Sequence, residues 1–112
     1  MVNNSSLDQI FAALADPTRR RIVERLSRKR LTVGEIASEF PLTQPAISKH
    51  VRILEESGLL QREIVGRTHY CTLTPAAMDS AARWLERHRR FWNETLDRLE
   101  RVLSNDSPKR KD

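Results

Sequence analysis

The sequence predicts a mainly α domain with one small β-hairpin: four helices, a hairpin wing and a long last helix, the order of a winged helix-turn-helix. Three observations predict it. Apolar residues recur at helical spacing in five segments punctuated by Pro, Gly and Ser/Thr/Asp caps. Only residues 59–73 break that period, with two β-rich runs around Gly66. The two helices before the hairpin are joined by Pro41-Leu42, a connection short enough for a helix-turn-helix.

The elements follow in order. Leu7, Ile10, Phe11 and Leu14 fall at i, i+3, i+4 and i+7 and form one face of a first helix. Asp16-Pro17 then supplies an N-cap and a proline at the first position of a second helix, whose apolar face is Ile22, Val23 and Leu26 and which ends near Lys29-Arg30. Thr32-Val-Gly-Glu35 reads as a capping box opening a short third helix that carries Ile36, Ala37 and Phe40 and stops at Pro41. Thr43 caps a fourth helix with Pro45 in its first turn, running to Glu56-Ser57, and Gly58 is its stop. Leu59 to Val65 and His69 to Leu73 form the hairpin around Gly66-Arg67-Thr68. Thr74-Pro75 repeats the cap-then-proline start and opens a last helix to about Leu103. Residues 1–103 are thus one domain, and the polar segment 104–112 is expected to be a disordered basic tail.

Composition narrows the function. The chain has 112 residues, a length suited to one globular domain, and carries twenty Lys+Arg against fifteen Asp+Glu for a net charge of +5. Sixteen of the cations are Arg, whose planar fork suits phosphates and guanine edges, so a nucleic-acid partner is favoured, although many soluble proteins are mildly basic. The longest wholly apolar run, Ile10 to Ala15, is far shorter than a membrane span, and the first six residues have no export signature. A cytoplasmic protein is expected. The one cysteine, Cys71, can neither form an internal disulfide nor build a structural zinc site by itself. No nucleophile elbow, phosphate-cradling glycine loop or zinc-protease motif occurs, so an enzyme is not expected.

The fourth helix carries the strongest functional signal. At about 100° per residue, Ile47, Val51 and Leu54 share one narrow stripe, with Ile53 outside it. Pro45, Ser48, Lys49 and Arg52 lie away from that stripe, while His50 sits beside it, placed for packing or a phosphate bond. A small serine permits close approach, cations reach phosphates or guanine acceptors, and Gln44 at the helix start can pair with an adenine edge. Arg67, Thr68 and His69 add a polar, basic wing tip near Arg62 that can lie along the backbone or enter the minor groove. An ordinary surface helix with a solvated basic face is the competing reading. Arg19-Arg20-Arg21 falls where a helix dipole disfavours cations; Asp16 and Glu24, or a DNA phosphate, could compensate it.

On the last helix Leu85, His88, Trp92, Leu96, Leu99 and Leu103 form a stripe widened by Trp84 and Phe91. A rod of residues 75–103 would span about 43 Å, more than so small a core covers. Burial against a second copy, together with Leu7, Ile10, Phe11 and Leu14, is expected; a fold-back onto the same chain is the alternative.

Taken together, Asp16-Pro-Thr-Arg-Arg-Arg-Ile22, Leu42-Thr-Gln-Pro-Ala-Ile-Ser-Lys-His-Val51 with Leu54, Gly58-Leu-Leu60, and Gly66-Arg-Thr-His-Tyr70 with Leu73-Thr-Pro75 resemble the ArsR/SmtB family, over about residues 7–103. The resemblance implies a bacterial winged-helix repressor that binds its operator as a homodimer. It implies that Gln44, Ser48, Lys49 and His50 belong to the recognition element and Arg67 to the wing, and that the first and last helices form the dimer interface. The metal-binding patterns of many members are not met: the third helix has no cysteine, and neither Asp79 nor His88 has its metal-binding companion on the last helix. The expectation is a homodimer on an inverted-repeat operator, bound through helix 44–57 and the wing near 66–69, with no cofactor, no metal and an effector left open. The alternative is a winged-helix module for protein contact.

Overall fold

The structure is a computed structural model that describes residues 4–106, with side chains described from Ser6 to Ser104. In chain order the elements are α1 (Asn4–Leu14), α2 (Pro17–Leu26), β1 (Leu31–Thr32), α3 (Val33–Ala37), α4 (Gln44–Glu56), β2 (Leu60–Val65), β3 (Thr68–Leu73) and α5 (Pro75–Asp106). The chain divides into one unit up to Ala81 and a second from Ala82.

The first unit holds the core. Ile10 and Ala13 of α1, Ile22, Val23 and Leu26 of α2, Ile36 of α3, and Ile47, Val51 and Leu54 of α4 are buried together with Leu31, Leu59, Leu60, Cys71 and Ala81. Phe40, Ile53, Ala77 and Met78 pack against this cluster from its edge. The helices of this unit are therefore amphipathic for the reason the sequence indicates: each contributes one apolar stripe and leaves its opposite face polar.

The hairpin strands start within one residue of the sequence reading, Thr68 joining the second strand, and four larger features differ from it. Leu31–Thr32 forms a strand, so the hairpin grows into a three-stranded antiparallel sheet of order β1-β3-β2, with Leu31 opposite Cys71. Two residues are too few to show alternation, and the pairing is imposed by burying Leu31. Helix α2 ends at Leu26, three residues early, where the Ser27 hydroxyl donates to the Glu24 carbonyl at 2.6 Å. Helix α3 ends at Ala37 in the same way, Ser38 donating to the Glu35 carbonyl at 2.8 Å, so Phe40 packs from the turn and not from the helix. Helix α5 runs through residues 104–106, the start of the segment expected to be a disordered tail; residues 107–112 lie outside the described residues.

The caps are formed as the sequence indicates. Thr32 and Glu35 make both bonds of the capping box, and Thr43 accepts from the Ala46 amide at 3.3 Å. At the other end of α4, Gly58 adopts φ 89°; its amide donates to the Glu55 carbonyl and the Leu59 amide to the Leu54 carbonyl at 3.2 Å. This is a Schellman stop, with Leu54 and Leu59 both buried in the core. In the wing, Gly66 has φ 64° and Arg67 has no positive φ, the pattern of a type II′ two-residue turn.

The arginine run at the start of α2 has a third explanation, beyond the two open at the level of sequence. Arg19 donates through Nε to the Ala13 carbonyl at 2.7 Å and Arg20 donates to the Leu14 and Ala15 carbonyls at 2.8 and 3.0 Å. Two cations that the α2 dipole repels thus serve the negative end of the α1 dipole and its unpaired carbonyls. Arg21 remains exposed.

Two outcomes test this account. Asp16 accepts from the Arg19 amide at 3.1 Å, and that bond chiefly holds its carboxyl below the ordinary aspartate value. Asp16→Ala should cost about 1 kcal/mol at neutral pH in a denaturant titration. A lowered folded value means the stabilisation is complete above the unfolded pKa and lost as pH falls through the folded one, so the gap should close below about pH 4. Gly58→Ala meets no atom within 4 Å, so its cost is conformational alone. It should lower stability by about 1–2 kcal/mol, read as a shifted urea midpoint.

Candidate nucleic-acid interface

Helix α4 is held by Ile47, Val51 and Leu54, each at 0% exposure, which fixes its rotation about its own axis. Gln44, Pro45, Lys49 and Arg52 are consequently exposed, and Ser48 is half-buried between them and the core side. Proline in the first turn removes an amide that lacks a helical partner there, and Thr43 satisfies another. The outward face combines small, amide and cationic side chains, the complement of acceptor-rich base edges and phosphates.

His50 is half-buried at the margin of this face and is not free. The Arg19 guanidinium donates to its Nδ1 at 3.1 Å, and the nearer Asp16 carboxylate oxygen stands 3.9 Å from the same nitrogen. Arg19 and Asp16 were not among the residues expected at the site. Their signal in the sequence was the cation run in an electrostatically unfavourable helix start, which required a partner.

Arg67, Thr68 and His69 of the wing are all exposed. No hydrogen bond or ion pair among the described residues joins them to the α4 set. Arg62 does not belong to the tip: it lies opposite Cys71 in the sheet and donates to Glu55 of α4 at 3.2 Å, tying the base of the wing to the helix. Arg30 makes a second tie that sequence reasoning missed, sitting 4.1 Å over the Tyr70 ring and 2.9 Å from the Glu63 carboxylate. Glu63 and Tyr70 face each other across β2 and β3, so one guanidinium spans both strands.

Of the residues expected at a dimer interface, Ile10 is corrected: at 2% exposure it belongs to the core of its own protomer, because the stripe of α1 turns it inward beside Ala13. Leu7, Phe11 and Leu14 are half-buried. In the second unit Leu85, Trp92, Leu96, Leu99 and Leu103 are more than half exposed, with Phe91 and Val102 beside them. His88 is half-buried; its ring stacks on Trp84 at 4.2 Å and its Nδ1 donates to the Trp84 carbonyl at 2.9 Å.

Burial pushes the Cys71 thiol up from its ordinary value, opposed by Arg62 and assisted by Glu55, which keeps it protonated and unreactive. Among the described residues no three His, Cys, Asp or Glu side chains gather where they could hold a metal ion, and no helix is long and apolar enough to cross a membrane.

Comparison with known proteins identifies the family of this fold. A helix-turn-helix domain family matches residues 14–63, from the last residue of α1 into β2. The HTH-type transcriptional regulator Rv2034 of Mycobacterium tuberculosis is 34% identical over 90% of this chain and 92% of its own. The arsenical resistance operon repressor of Escherichia coli is 34% identical over 86% of this chain and 83% of its own. The solved structure of an ArsR-like transcriptional regulator from Rhodococcus sp. RHA1 superposes with a TM-score of 0.73 at 32% identity, covering 88% of this chain and 92% of that one. With a helix-turn-helix, a wing and relatives matched over nearly their whole length, the chain belongs to the ArsR/SmtB family of winged helix-turn-helix transcriptional regulators.

Proposed function

We propose that the protein represses transcription as a homodimer, seating α4 of each copy in the major groove of an inverted-repeat operator. The wing tip, residues 66–69, lies along the adjacent backbone or in the minor groove. The observation that carries this reading is the division of α4: three side chains with no exposure anchor it while Gln44, Pro45, Lys49 and Arg52 face outward. Repression is supported by the name of the Escherichia coli relative. The protein acts in the cytoplasm, where the DNA is, and acts by binding, not catalysis.

The dimer is supported by the apolar stripe of α5. Trp92 at 58% exposure and four leucines more than half exposed make a surface that is costly to leave in water. Leu7, Phe11 and Leu14 of α1 offer a second, half-buried surface. A two-fold axis duplicates the reading helix, so half-sites should lie about 10 to 10.5 base pairs apart or at a multiple of that spacing.

Gel-shift titration against the DNA upstream of the protein's own coding sequence tests operator binding. Retardation at modest salt, weakening steeply as salt rises, is expected; none at any salt would favour the protein-contact module instead. Replacing Ser48 and Lys49 together (Ser48→Ala with Lys49→Glu) should weaken binding more than about tenfold, and Arg67→Ala should lower the salt slope by about 1. Trp92→Glu should give a monomer by light scattering at micromolar concentration, where the wild type is a dimer.

A further inference from the structure

His50, on the margin of the reading face, is gripped by another element, and the grip determines its chemistry. An arginine has only donors, so an Nδ1 that accepts from Arg19 at 3.1 Å carries no proton. The proton of the neutral ring is then on Nε2, which makes no hydrogen bond within the described chain. The two ring nitrogens diverge. With Nδ1 turned to the α1–α2 corner, Nε2 is turned away from it.

Arg19 is itself immobilised. Its Nε donates to the Ala13 carbonyl at 2.7 Å, a second terminal nitrogen reaches the Ala12 carbonyl at 3.4 Å, and its amide donates to Asp16 at 3.1 Å. The guanidinium therefore meets His50 from a fixed position, with most of its rotamer entropy already lost to other contacts. The Asp16 carboxylate, 3.9 Å from Nδ1, balances the arginine charge at this point.

We propose that Arg19 is a positioning residue for DNA binding: it locks His50 in the Nε2–H tautomer, so that the margin of α4 presents one oriented donor to a phosphate of the operator backbone. Resting on the operator reading above, the proposal assigns to Arg19 a role exerted from outside the interface. The same contact ties the C-terminus of α1 to the reading helix, alongside the apolar packing of Ile10 and Ala13 with Ile47, Val51 and Leu54 in one core.

The test separates the tautomer from the affinity. In wild-type protein at alkaline pH, long-range ¹H–¹⁵N correlation of the His50 ring should show a protonated Nε2 and an unprotonated Nδ1; Arg19→Met should give a mixture of the two neutral forms. A protonated Nδ1 in the wild type, or a spectrum that Arg19→Met leaves unchanged, overturns the lock. On the duplex that the wild type retards, Arg19→Met should weaken binding about tenfold, the loss of one hydrogen bond to a charged group. His50→Gln keeps a donor near the Nε2 position without the Nδ1 acceptor, so in that background Arg19→Met should cost less than about twofold. Equal losses in both backgrounds would show that Arg19 acts independently of His50 and overturn its positioning role. A wild type that retards no duplex would instead overturn the operator reading and the phosphate contact with it, while an Nε2–H signal in the same sample still supports the tautomer lock.

Discussion

The rotation of α4 about its own axis governs what this molecule can do. Ile47, Val51 and Leu54 fall within an arc of about 60° on the helix, and all three are fully buried. Each contributes about 1.5–3 kcal/mol by leaving water, so turning the helix enough to expose even one is strongly opposed. Everything outward on α4 follows from that constraint. Lys49 and Arg52 are exposed because the anchors are inside, and Ser48 lies close to the helix surface because it sits between the two regimes. The ends are pinned as firmly, with the Thr43 cap and first-turn proline at one and the Gly58 stop at the other.

Electrostatics then joins the neighbouring elements to this anchored helix. Asp16, Arg19 and His50 connect the α1–α2 corner to its exposed margin, and Glu55 and Arg62 connect its last turn to the wing. Exposed ion pairs are worth little apart, and Arg89 with Glu86 on α5 is such a pair. The half-buried contacts around α4 differ because each guanidinium involved is restrained by a helix carbonyl or by a packed strand. Their effect is on direction more than on total stability: they decide where a donor points.

Much of this was legible in the residues. The caps at Asp16, Thr32 and Thr43, the stop at Gly58 and the inward stripe of α4 are local patterns with one physical outcome each, and the structure reproduces them. What escaped the sequence depended on partners distant along the chain. The strand at Leu31–Thr32 exists only because Cys71 and Tyr70 are brought beside it. Ile10 shares its periodicity with Phe11 and Leu14, and only the packing of α1 decides which of them turns to the core. Arg62 has the same charge as Arg67, but its place opposite Cys71 directs it to Glu55 and removes it from the wing tip. The early ends of α2 and α3 were hidden by serines that return their hydroxyls to the preceding turn, a choice a serine makes only in context.

The type II′ turn at Gly66-Arg67 leaves the wing no slack, because Val65 and Thr68 are already paired. Side chains alternate across a strand, so one residue inserted without a bulge would send everything beyond it to the opposite surface of the sheet. Cys71 would leave the core and the Arg30 clamp on Tyr70 would lose its ring. The tip can therefore exchange its chemistry residue for residue, but its length can change only in even steps or through a bulge. Divergent copies of this fold could retune what the wing touches by substitution far more readily than by growth.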